Sequence, residues 1–136
     1  MNQIPSKFST KKCQVFIDDL GILIQSYNEN TELTEKDALE EIKLYGKIIP
    51  KKKRPILIDI GNIRTVERNA RSVYASEEAA EFLSATALII SNPVSRIMGN
   101  FFMGLNKTIM PVRLFTDKAQ AYRWLKTFLP ENKDNG

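Results

Sequence analysis

Apolar residues fall into short continuous runs separated by stretches of helical spacing. Cys13-Gln14-Val15-Phe16-Ile17 and Ile22-Leu23-Ile24-Gln25 flank Asp18-Asp19-Leu20-Gly21. Two apolar runs around an Asp/Gly turn predict an antiparallel hairpin. After a polar connector (Asn28–Thr31), Thr34-Glu35-Lys36-Asp37 has the form of a capping box with an acid at its third helical position. Ala38, Leu39, Ile42 and Tyr45 follow at helical spacing, so a helix runs to about Gly46. Ile56-Leu57-Ile58-Asp59-Ile60 and the run Thr86–Ser91 are almost unbroken in apolar residues, as in strands covered on both faces.

Between those two runs, residues 66–83 read as helix, interrupted near Ser76, whose side chain can restart it with Glu77 and Glu78 in the first turn. Asn92-Pro93-Val94-Ser95 then opens an unusually apolar helix ending near Asn106, and Pro111–Phe115 forms a further strand. A strand, a crossover helix and a strand within about thirty residues is the unit of a parallel sheet. Asp117 with Gln120 starts a last helix, burying Ala121, Leu125, Phe128 and Leu129 until Pro130 stops it. Residues 1–10 read as a loose lead-in and 131–136 as a polar tail.

The element order is β-β-α-β-α-β-α-β-α. It predicts a single α/β domain spanning 1–136, with an ordered core from about residue 12 to 129. Its architecture is a five-stranded mixed, mostly parallel sheet with an N-terminal hairpin and four helices. No internal repeat or low-complexity stretch divides it.

Composition narrows the chemistry more than the fold. The chain of 136 residues is 43% hydrophobic and 26% charged, the profile of an ordinary globule. It contains no histidine, which removes Ser-His-Asp and Cys-His hydrolysis and any histidine-ligated zinc. Its single cysteine, Cys13, excludes an internal disulfide and fits a reducing cytoplasm. No secretory h-region precedes the core, and no apolar run approaches the roughly 20 residues that cross a bilayer. The net charge of +4 is mild, and the one dense basic run, Lys51-Lys52-Lys53-Arg54, lies between Pro50 and Pro55 as a solvated loop tip. The expectation is therefore a cytoplasmic chain with no catalytic residues, metal or cofactor, no nucleic-acid partner and no membrane insertion.

Several ordered pieces resemble the STAS-like superfamily, the anti-sigma-factor antagonists and small bacterial domains of that fold. They are Asp59 ending a buried strand, Glu67-x-x-Ala70-Arg71, Ser76-Glu77-Glu78, Gly99-Asn100-Phe101-Phe102, Pro111 with Phe115, and Trp124-Leu125. The likeness covers residues 12–129, and the ordered set carries it rather than any one piece. It implies a sheet with helices packed against it. It also implies a protein-interaction surface near the loop after the third strand, switched in the antagonists by Ser/Thr phosphorylation. There the family's Asp-Ser pair is replaced by Val66-Glu67-Arg68, with Thr65 the nearest hydroxyl.

Two groups of residues are candidates for function. Arg64, Thr65, Arg68, Asn92, Ser95 and Arg96 gather at the carboxyl edge of the sheet, where a helix start and nearby cations suit a small anionic ligand or a lipid headgroup. Arg64, Arg68 and Arg71 would share one face if the helix began early enough. Helix capping and surface ion pairs explain the same residues without a ligand. Met98, Phe101, Phe102, Met103 and Leu105 make their helix apolar around more than half its circumference. That excess suits an interface with a protein partner or a second copy, or else deep burial. Asp59, the charged residue in an apolar strand, needs a backbone or arginine partner if buried. Glu40-Glu41 and Glu77-Glu78 read as solvated acids. The leading expectation is a non-enzymatic, self-associating interaction module; the alternative is a small-molecule or lipid binder at the sheet edge.

Overall fold

The computed structural model describes residues 7–49, 52–106 and 110–129, with the backbone alone at 101 and 104–106. In chain order the elements are β1 (Lys7–Ser9), β2 (Cys13–Ile17), β3 (Leu23–Tyr27), β4 (Thr31–Leu33), α1 (Glu35–Ile48), β5 (Arg54–Asp59), β6 (Ile63–Val66), α2 (Arg68–Tyr74), α3 (Glu77–Ala80), β7 (Leu83–Ile89), α4 (Pro93–Asn106), β8 (Val112–Phe115) and α5 (Lys118–Lys126). The predicted tail 131–136, the Pro130 stop, Lys51 and the first six residues lie outside the described residues.

The hairpin forms as its turn chemistry dictates. Asp18 Oδ1 accepts the backbone N–H groups of Leu20 and Ile22, both at 2.9 Å, and Gly21 takes a φ of +89° that only glycine adopts freely. β2 and β3 pair antiparallel from Cys13↔Tyr27 to Ile17↔Leu23. From β3 onward the sheet is parallel: β3 with β5, β5 with β7, β7 with β8. Among the described residues this sheet has six strands in the order β1-β2-β3-β5-β7-β8.

The mixed, mostly parallel α/β architecture is as predicted, with short strands added. β1 extends the hairpin edge, where a loose lead-in was expected. β4 and β6 form a separate parallel pair, with Leu33 and Val66 buried. Such short segments carry no periodic signal of their own. They become strands because each finds the other's backbone about thirty residues away in sequence. Residues 66–83, expected as an interrupted helix, resolve into α2 and the one-turn α3, and β7 begins at Leu83 rather than Thr86. The break falls at Ser76, whose hydroxyl accepts the Ala79 N–H and caps α3.

The two apolar central strands are covered on both faces. Ile56, Ile60, Leu88 and Ile90 join Tyr45, Ala70, Ala80 and Phe102 under α1, α2, α3 and α4. Leu57, Ala85, Ala87 and Ile89 join Ala121, Leu125 and Leu129 under α5 alone. Alternate side chains of one strand therefore feed two different cores. The loops at the carboxyl ends of β5, β7 and β8 open on one edge, where α4 and α5 begin.

Candidate functional site

The start of α4 is built by a reciprocal cap. Asn92 Oδ1 accepts the Ser95 N–H at 2.8 Å, and Ser95 Oγ accepts the N–H groups of Ser91 (2.9 Å) and Asn92 (3.0 Å). Asn92 Nδ2 reaches across to donate to the Gly61 carbonyl at 3.0 Å, tying the β5–β6 loop to the helix. Ser95, predicted as an anion contact, is fully buried and its hydroxyl is committed to this cap. Pro93 has no N–H, and the Arg96 N–H bonds within the helix to Asn92 O. The donors that make a helix start attract anions are largely occupied here. Replacing Ser95 by Ala leaves two N–H groups without their acceptor, and a loss of about 2 kcal/mol in urea unfolding is expected. Arg96→Ala, on an exposed side chain, is expected to unfold like the wild type.

Two hollows flank the helix start. An open cleft of about 880 Å³ is lined by Asp59, Ser91, Asn92, Arg96, Thr116 and Lys118, among others. A second, of about 310 Å³, lies between Glu29, Asn62, Arg64, Asn92 and Val94. Of the predicted anion set, Asn92, Arg96 and Arg64 reach these hollows, Ser95 lies beneath them, and Thr65 and Arg68 line neither. Arg64 belongs to β6, not to the α2 helix, so the expected Arg64–Arg68–Arg71 face does not form. The backbone is extended there because β6 pairs with β4. Arg64 meets Glu32 of that partner strand at 3.3 Å, both side chains exposed. Asp59 accepts the Gly61 N–H at 2.9 Å, and its cation is Lys118 at 3.8 Å rather than an arginine. Arg96 has no ion pair among the described residues.

The apolar helix divides into an inner and an outer face. Phe102 is buried and meets the Tyr74 ring edge-on at 5.6 Å, while Met98 and Met103 pack on the same core. Gly99 lies so close to the sheet that an added Cβ would meet Leu114 Cδ2 at 2.7 Å. Among the described side chains, the exposed large apolar residues of α4 are Val94 (48%), which lines the smaller hollow, and Ile97 (68%). The side chains of Phe101 and Leu105 lie outside the described residues.

The most unusual chemistry is internal. Glu41, expected to be solvated, is 2% exposed. It stands at i+3 from Ala38 and i−4 from Tyr45, on the buried face of α1, and that spacing was the available signal. Glu41 Oε1 accepts from Tyr27 Oη (2.9 Å) and Gln25 Nε2 (3.1 Å), and Oε2 accepts from Tyr74 Oη (3.0 Å). Tyr45 Oη donates to Gln25 Oε1 at 2.5 Å. No cation pairs with Glu41 among the described residues. Burial pushes its carboxyl up from 4.5 to about 7, against the opposing pull of the Tyr27, Gln25 and Tyr74 hydrogen bonds. Burial, with Glu41 nearby, likewise raises the Cys13 thiol to about 11, so this buried thiol stays protonated and inert.

The chain belongs to the family described as a domain of unknown function, DUF7793, which matches residues 15–129. No curated protein matches it. It is similar to the solved structure of an uncharacterized protein of the DUF3478 family with a SpoIIAA-like fold from Shewanella loihica PV-4. The two share 18% identity and a TM-score of 0.62 over 87% of this chain and 98% of that one. A protein of unknown function from Arthrobacter sp. FB24 shares 24% identity over 82% of this chain and 90% of that one, with a TM-score of 0.32. The Shewanella likeness shows the fold: the chain is SpoIIAA-like, the STAS-like architecture that its ordered residues implied. Among the described residues, no helix is long and apolar enough to cross a membrane.

Proposed function

We infer that this member of the DUF7793 family is a non-catalytic, cytoplasmic interaction module that docks a protein through the start of α4. The observation that carries this reading is the placement of Val94 and Ile97. Both are exposed in the first turn of α4, with Val94 lining the smaller hollow, while Ser95, Gly99 and Phe102 of the same helix are buried. Loops at this edge are where open α/β folds place recognition. Arg96, beside Ile97 on the side of the larger cleft, suits a partner segment combining apolar and acidic residues. Absence of catalysis is supported by the histidine-free composition, by the commitment of the Ser95 hydroxyl to its cap and by the sealing of Glu41 in the core. An anionic small ligand is the weaker reading because the N–H groups it needs are occupied.

The test compares three baits in pull-downs from the native cell: wild type, Val94→Asp with Ile97→Asp, and Leu39→Asp, which alters an exposed apolar residue of α1. A partner retained by wild type and Leu39→Asp but reduced at least about tenfold by the α4 double variant is expected. The reading fails if all three baits retain the same proteins equally, or if light scattering shows a dimer that the double variant dissociates.

A further inference from the structure

The cleft of about 880 Å³ and a further hollow of about 230 Å³ have Ile90, Arg96 and Thr116 in common, so the two adjoin as one open trough. Ile89 and Ile90, both buried, give it an apolar floor. Its charged lining is Arg96, Arg113 and Lys118 against one acid, Asp59. The guanidinium carbon of Arg113 lies 5.1 Å from the centre of the Phe115 ring and 5.4 Å from that of Trp124. Stacking of this kind engages the face of a guanidinium, whose N–H groups lie in its plane and stay able to donate. Lys118 and Asp59 meet at 3.8 Å with both side chains partly exposed, a weak pair whose lysine an incoming carboxylate can share.

We propose that this trough takes a run of Asp or Glu carboxylates from a partner peptide whose adjoining apolar side chains rest on Val94 and Ile97. The proposal rests on the docking reading above and gives its partner a chemistry: an acidic run next to an apolar anchor. Charge complementarity selects the acids, since three cations and one carboxylate line the trough. The open form selects a chain over a free ion. Each exposed ion pair is worth about fivefold in affinity or less, so a lone anion gains little. Several carboxylates carried on one chain, and held nearby by an apolar anchor, multiply those small gains. The N–H groups at the start of α4 are occupied by its cap, so the cationic side chains do the recognising.

Amide NMR of the full chain, titrated with a peptide of two leucines followed by four glutamates, with its glutamine counterpart and with inorganic phosphate, tests this. The trough variant is Arg96→Glu with Lys118→Glu. Its control is Arg68→Glu with Arg123→Glu, exposed arginines that line neither hollow and change the net charge equally. Arg96→Gln with Lys118→Gln keeps the test available where charge reversal unfolds the chain. The glutamate peptide is expected to shift the Thr116 and Gln120 signals and to bind at least about tenfold more tightly than the other two probes. The trough variant weakens it at least about tenfold and the control less than about threefold. In the pull-down, the protein lost by Val94→Asp with Ile97→Asp is lost by the trough variant too and kept by the control. The proposal is overturned if the glutamate peptide binds no better than the glutamine peptide or phosphate, or if trough variant and control weaken it alike. A protein lost by the Val94 and Ile97 double variant but kept by the trough variant sinks the acidic trough and leaves the docking reading standing. One lost by the trough variant but kept by that double variant sinks the docking reading, and this proposal with it.

Discussion

Raising the pH from 5 to 8 is expected to cost the folded state roughly 2–3 kcal/mol, nearly all of it through Glu41. Its carboxyl is lifted from 4.5 to about 7 on folding, so the native state holds a proton that the unfolded chain has released. Below pH 4.5 both states are protonated and the advantage of the neutral carboxyl is complete. Between 4.5 and 7 the unfolded state alone ionises, and stability falls steadily. Above 7 both are ionised and the loss levels off. The window is unusually clean, because a chain without histidine has no other side chain that ordinarily titrates between pH 5 and 8. Urea unfolding across this range shows the slope directly. Glu41→Gln is nearly isosteric: its oxygen can accept from Tyr27 and Gln25, and its amide can donate to Tyr74. This variant should unfold with little pH dependence and be the more stable protein at pH 8. Equal slopes for the two proteins would show that the buried carboxyl does not govern the transition.

Leu125→Ala is expected to lower stability by about 3 kcal/mol or more, a large share of what a domain of this size possesses. The two faces of the sheet are unequally covered. Four helices share the face containing Tyr45 and Phe102, whereas α5 alone covers Leu57, Ala87 and Ile89. Leu125 is fully buried at the centre of that single-helix contact. The strand residues opposite include Ala85 and Ala87, which are too small to fill the space a lost isobutyl group leaves. The midpoint of urea unfolding should fall with its slope unchanged. A variant within about 0.5 kcal/mol of wild type would mean that α5 shifts to close the gap.

The parts of the fold that were legible in the chain are those whose cause is local or periodic. Thr34 and Asp37 form their capping box, with Asp37 Oδ2 accepting the Thr34 N–H at 2.8 Å, because the two are three residues apart. Asp18 and Gly21 shape their turn for the same reason. The unbroken apolar runs of β5 and β7 announced strands buried on both faces, and both are central. The α4 start was also legible as a cap, but not the extent to which capping leaves an anion little to hold. β4 and β6 could not be seen, since neither three nor four residues show a period. The outward pair Val94 and Ile97 was hidden within a helix that is apolar around more than half its circumference, and only its packing reveals which side turns to solvent.

Glu41 marks the boundary between the two kinds of information. Its place on the inner face of α1 follows from a spacing of three and four residues, a property of one helix. Its meeting with Gln25, Tyr27 and Tyr74, from one strand and another helix, follows from long-range packing that no local pattern encodes. Covalent neighbours and helical period set the elements, their order and their caps. Which polar groups share a dry interior and which apolar side chains face water depend on how the helices are laid over the sheet, because burial is a property of the assembled layers.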